Sequence, residues 1–269
     1  MRSYNFYFTF AAVAGLLLAV STEGYAQSLN TVILAKVQGN VVVRDSAGAS
    51  KAASNGDRVS PPSYIVTGPQ SSVTLLFSNG STVSVNENSS MEVSQFFQDA
   101  HGDKGFINQK GEPSRSTTRL KLDYGEIIGS TKKLNSASTY EISTPVGIVG
   151  IRGTDWYSKV LRVAEGIIAL FGVLEGQVEF TPTGKIIITI GDGKQVEIKL
   201  TQVAGQPPEL EVSPTTNIPA DVMDKIKAIV KLDDDDLIAS FRDIPDEGAT
   251  FIRGHDGEWQ ERVTNDAGE

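Results

Sequence analysis

Cysteine is absent from the 269 residues. That excludes a disulfide scaffold, a thiolate metal site and a cysteine-linked lipid anchor. Histidine is scarce: only His101 and His255 occur, both in polar, glycine-rich surroundings. A histidine zinc site needs further ligands at helical or hairpin spacing, and none are present. Aromatic residues make up 7% of the chain, which leaves little for a sugar-stacking platform. No Gly-x-Ser-x-Gly nucleophile elbow occurs. The four consecutive carboxylates Asp233–Asp236 lack the Asp-x-Asp alternation of a calcium loop and read as a solvated helix start. The chain is expected to be non-enzymatic, with no cofactor and no metal.

Basic residues are also in the minority. The formal charge is −9, from 33 acids and 24 bases. It is not spread evenly: residues 219–269 hold 14 acids and 6 bases, whereas residues 27–218 hold 18 and 17. An acidic end on a nearly neutral body argues against nucleic acid or an anionic membrane as partner.

Long apolar runs are missing except at the start. Arg2 precedes "FTFAAVAGLLLAV", and "GYA" places Gly24 and Ala26 at the −3 and −1 positions of a cleavage site. The run is about 13 residues, short for a bilayer span. Residues 1–26 therefore read as a signal peptide cut after Ala26. The product is expected in the periplasm or outside the cell, with no membrane span after cleavage.

Residues 29–202 carry the pattern of strands. Short runs rich in Val, Ile and Thr are punctuated by Gly, Asn-Gly, Asp-Gly and Pro. This predicts an all-β fold, an antiparallel multi-stranded sandwich or roll, rather than alternating βαβ units. Two segments share one pattern, "LLFSNGSTVSV" (75–85) and "ITIGDGKQVEI" (188–198). A three-residue loop at Ser78-Asn79-Gly80 puts Val73, Leu75, Phe77, Val83 and Val85 on one face, which a two-residue loop does not. The same loop at Gly191-Asp192-Gly193 would pair Ile188 with Val196. Gly80 and Gly193 are then expected in the left-handed conformation.

Residues 98–118 are polar and glycine-rich and read as a loop insertion. Residues 203–218 are proline-rich and read as a linker. Residues 219–269 form an acidic, helical C-terminal extension. In it Val222, Ile226, Ile229 and Val230 lie on one helical stripe. Leu237, Ile238, Phe241 and Ile244 fit a second short helix.

The segment "TPVGIVGIRGTDWY" (144–157) spaces Gly147, Gly150 and Gly153 three apart. It lacks the Lys-Ser/Thr ending of a phosphate loop and runs into a strand pattern, "DWYSKVLRV", not a helix. The glycines read as bends or close strand approaches. Arg152 and Asp155 read as an ion pair pinning the turn; a ligand contact is the alternative.

Two blocks resemble the FecR-type domain of bacterial envelope proteins. The first (56–96) carries Gly56-Asp57, Thr67-Gly68, Ser72 and the Asn79-Gly80-Ser81 hairpin. The second (120–160) carries Leu122-x-x-Gly125, Thr144-Pro145 and Val149-x-Ile151-Arg152-Gly153-Thr154, with Asp155 following. "VLEGQVEF" (173–180) resembles the step that follows in the family. The resemblance implies an extracytoplasmic all-β domain without known catalysis. In founding members it relays an outer-membrane transport signal to a cytoplasmic sigma factor. This chain is expected to be a standalone secreted form, a non-enzymatic module that binds an unidentified envelope protein or ligand. The alternatives are a soluble periplasmic regulator in iron-uptake or sigma-factor signalling, and a glycan-binding protein or enzyme using the 98–118 loop.

Overall fold

The computed structural model describes residues 32–99, 111–182 and 187–230, and the backbone of 250–253 and 259–262. The expected signal peptide, the centre of the 98–118 insertion and the expected second helix lie outside the described residues.

Eighteen strands form one hydrogen-bonded network. The first eight are β1 (Val32–Gln38), β2 (Val41–Asp45), β3 (Ser50–Ala52), β4 (Arg58–Val59), β5 (Ser63–Thr67), β6 (Ser72–Phe77), β7 (Thr82–Val85) and β8 (Ser89–Gln98). The long β9 (Ser116–Ser130) follows, then β10 (Thr139–Thr144), β11 (Gly147–Gly150), β12 (Asp155–Val163) and β13 (Gly166–Glu175). The last are β14 (Val178–Pro182), β15 (Ile188–Ile190), β16 (Lys194–Thr201), β17 (Glu209–Val212) and β18 (Thr216–Asn217). Gln98 and Ser116 thus close the neighbouring strands, and the insertion is shorter at both ends than its composition suggested.

The network folds over β9 into two facing sheets. The first half of β9 pairs with β8 and, in parallel, with β10. The second half pairs with β7 and β12. One sheet then runs β3-β2-β5-β8-β9-β10-β11-β14-β15. The other runs β4-β1-β6-β7-β9-β12-β13-β16, with β17 and β18 on its edge. The corner is Gly125. Its φ is 97°, and a Cβ there would sit 2.4 Å from Ser89 Cα. Only glycine fits both demands.

Alternation puts one face of each sheet in the core. Leu120 and Leu122 point inward before the corner and Ile127 after it, while Ile128 faces out. The inward parity switches from even to odd across Gly125. Trp156 sits at the centre, fully buried, stacked on Phe171 at 6.3 Å and edge-on to Tyr140 at 6.3 Å. Its indole N–H donates to Thr131 Oγ1 at 3.1 Å, so its one polar atom is satisfied.

The β6–β7 hairpin has the three-residue loop that a single apolar face requires. Val73 pairs with Val85 and Leu75 with Val83. Phe77 N donates to Ser81 O at 3.0 Å, and Gly80 has φ of 81°. The second such pattern behaves differently. Gly193 has φ of 64° and Lys194 N donates to Gly191 O. Yet Ile188 pairs with Phe180, and Val196 with Phe171. The expected Ile188–Val196 ladder does not form, because the turn carries the chain from one sheet to the other. An apolar face requires core contact and does not specify the partner strand.

The expected linker at 203–218 is also corrected. β17 and β18 add to β16 as edge strands, where the neighbouring prolines remove no ladder hydrogen bond. One helix, α1 (Ala220–Val230), follows. It lies across the outer face of the second sheet, with Ile226 buried against Ile128 and Tyr157. Glu126 on β9 accepts from Lys225 and from Asn86, and Lys159 lies 3.4 Å away. Burial pushes the Glu126 carboxyl pKa up, but those hydrogen bonds and the two lysine charges outweigh it and hold it below the usual range. Beyond α1, β19 (Thr250–Arg253) and β20 (Trp259–Arg262) form an antiparallel pair in a stretch where the sequence shows no period.

Candidate functional site

The segment 144–157 leaves β10, forms β11, turns, and enters β12. Thr144 Oγ1 closes the first turn by donating to Gly147 O at 3.0 Å, with Pro145 inside it. β11 then lies between β10 and β14. Close packing explains two of the three glycines. A Cβ on Gly147 would meet Thr181 O at 2.5 Å, and one on Gly153 would meet Lys133 Cα at 2.8 Å. Gly150 is different: its nearest neighbour would be Glu179 O at 3.8 Å, an ordinary contact.

Arg152 and Asp155 do not pair. Arg152 Nη1 donates to the carbonyls of Asn135, Ser136 and Ser138 at 3.3, 3.4 and 3.2 Å. Asp155 turns the other way, into the ladder between Ser130 and Glu175. Burial raises its carboxyl pKa, a hydrogen bond from Ser130 opposes the rise, and the Glu175 charge adds to it. The expected ion pair is therefore corrected. Arg152 sits on the turn and Asp155 on the strand, so their side chains leave in different directions. Thr154 is buried between them, and its carbonyl accepts from Thr131 N at 3.0 Å.

What Arg152 does hold is the β9–β10 connection, and that connection holds a carboxylate the sequence reading missed. Glu112 is 7% exposed. Ser116 Oγ donates to its Oε2 at 2.6 Å, and Asn135 N to its Oε1 at 2.6 Å. Ser138 Oγ donates to Oε1 as well. Asn79, in the β6–β7 loop, extends the chain by donating to Ser116 Oγ at 3.1 Å. These groups tie both ends of the open side of the sandwich together. The signal available in the sequence was small: a lone acid in "KGEPS" beside the polar insertion.

Beside Arg152 lies an open groove of about 490 Å³, lined also by Tyr140, Glu141, Gln177 and Glu179. Glu141 is paired with Arg119 at 3.1 Å. The groove offers a mixed polar surface for recognition. Among the described residues no three His, Cys, Asp or Glu side chains gather to hold a metal, and no helix is long and apolar enough to cross a membrane.

Residues 63–179 match the family model described as FecR protein. The chain carries a FecR-type domain. The match begins with β5 and ends in β14, and takes in β9, the corner at Gly125 and the whole 144–157 segment. The sandwich extends past the FecR match at both ends, through β1–β4 and β15–β18. Two crystal structures of a protein from Parabacteroides distasonis, provisionally named an anti-sigma factor, are similar to this chain at 14% identity and a TM-score of 0.42. The similarity covers 59% of this chain and 61% of theirs. No curated protein matches.

Proposed function

We propose that this chain is an exported, non-enzymatic interaction module of the bacterial envelope, built on a FecR-type domain. The observation that carries the reading is the FecR match over residues 63–179, in a family whose resemblance implies extracytoplasmic relay rather than catalysis. The site geometry supports it. The polar groups around the 144–157 segment are engaged in holding chain connections: Arg152 on three carbonyls, and Glu112 on two hydroxyls and an amide. What remains open is surface, which suits binding. A role in signalling or regulation follows from the same family. The finer version is a soluble periplasmic regulator working with a separate membrane partner in iron-uptake or sigma-factor signalling.

The test is affinity capture from envelope fractions with the tagged chain expressed in its native compartment. A specific envelope protein retained at stoichiometric level supports the module. Retention of none, with a turnover found for the purified chain, overturns it.

A further inference from the structure

The outer face of the second sheet carries more apolar surface than α1 covers. Tyr157, Lys159, Leu161 and Val163 alternate outward along β12, and Ile168 and Leu170 lie beside them on β13 through the pairs Leu161–Ile168 and Lys159–Leu170. α1 seats Ile226 on Ile128 and Tyr157 at one end of this stripe. At the other end Leu161 and Val163 are left 39% and 41% exposed. A charged group, Glu126, marks the border and holds Lys225 of the helix.

The helix itself is held lightly. It has 11 residues, and Ile226 is its one buried residue. Isolated helices of this length are marginal in water, so α1 exists because it is docked. Its contacts with the sheet are few beside those that join β9, β12 and β13 by long ladders. Locally weak elements of this kind open without global unfolding.

We propose that the β9–β12–β13 outer face is a helix-receiving surface, that α1 is its built-in occupant, and that an amphipathic helix of a partner protein displaces α1 and extends onto Leu161 and Val163. This deepens, and rests on, the interaction-module reading. The occupant is specified by what the face already holds. The stripe is continuous with the seat of α1, so the incoming helix needs apolar residues at i, i+3 or i+4, and i+7. Glu126 requires a lysine or arginine one position before the central apolar residue, as Lys225 precedes Ile226. Cover and site are then in competition, and the affinity seen by a partner is lowered by the fraction of chains with α1 docked.

The probe is a fluorescent peptide of residues 217–230, added to the full chain and followed by anisotropy. The substitution Ile226→Asp in the full chain undocks α1 and leaves the face free. The peptide should bind this variant saturably and at least tenfold more tightly than it binds the wild-type chain. A peptide carrying Lys225→Glu should bind the variant several-fold more weakly. Hydrogen exchange on the wild-type chain provides a readout without substitution: α1 amides should exchange at least a hundredfold faster than those of β12. The proposal is overturned by a folded Ile226→Asp chain that binds no peptide, by equal binding to wild type and variant, or by α1 amides protected as well as β12. If Ile226→Asp does not fold, Lys225→Glu in the full chain replaces it, with peptide binding above wild type expected and binding at the wild-type level contradicting the idea. Failure of the interaction-module reading is distinguishable: the peptide exchanges as stated, yet neither chain retains an envelope protein.

Discussion

Gly125→Ala tests whether the fold depends on one corner. The backbone there has φ of 97°, where an L side chain costs about 1–3 kcal/mol. The new methyl would lie 2.1 Å from Ser89 Oγ and 2.4 Å from Ser89 Cα. The hydroxyl can rotate away; the Cα belongs to the β8 backbone and cannot, so β8 and β9 must separate. Overpacking of this sort adds about 1–3 kcal/mol. Separation also strains the bonds Ser89 makes on both sides of the corner, from its Oγ to Glu126 and from its amide to Thr67. The expected loss is about 2–5 kcal/mol, a large part of a domain's usual 5–15 kcal/mol. Urea unfolding followed by Trp fluorescence measures it, since Trp156 reports the core. Ser89→Gly in the same chain should recover part of the loss but not the φ cost. A loss under about 0.5 kcal/mol for Gly125→Ala would refute the corner as described.

Other changes follow from the site. Arg152→Ala and Asp155→Ala share no partner, so their effects on urea stability should add within about 0.5 kcal/mol; strong coupling would restore the ion pair. Asp155→Asn should raise the melting temperature at neutral pH. The raised folded pKa means that the native state holds a proton the unfolded chain has lost, so stability falls as pH rises through that window. The gain from Asn should therefore vanish below the ordinary carboxylate range of about 3.9, and a gain independent of pH would contradict the assignment. Glu112→Ala leaves two hydroxyls and the Asn135 amide without their acceptor, and should cost about 2–4 kcal/mol in the same urea assay; a neutral effect would mean the network holds nothing.

Much of this was legible in the sequence, for local reasons. The β6–β7 loop follows from five apolar residues that only one register puts on the same face. The FecR resemblance lay in blocks that the structure places on β5 to β14. The failures were all non-local. Ile188 and Val196 are as apolar as a hairpin demands, but each has its partner on a different sheet. The prolines of 203–218 signal a break in regular structure, and they do so equally at a sheet edge and in a free linker. Arg152 and Asp155 are neighbours in the chain, and backbone direction separates them. The corner did leave a trace. "LKLDYGEII" places its inward residues at Leu120 and Leu122 and then at Ile127, and a parity switch around a glycine marks a bend. Glu112 left almost none, because its partners come from four separate segments.

The central claim is that this chain works outside the cytoplasm by binding another protein. In-cell crosslinking of the tagged chain, followed by mass spectrometry of the adduct, tests it most directly. The account predicts an N-terminus at Gln27 and a covalent partner of envelope origin. An adduct that retains Met1, or one formed with a cytoplasmic protein, would contradict it.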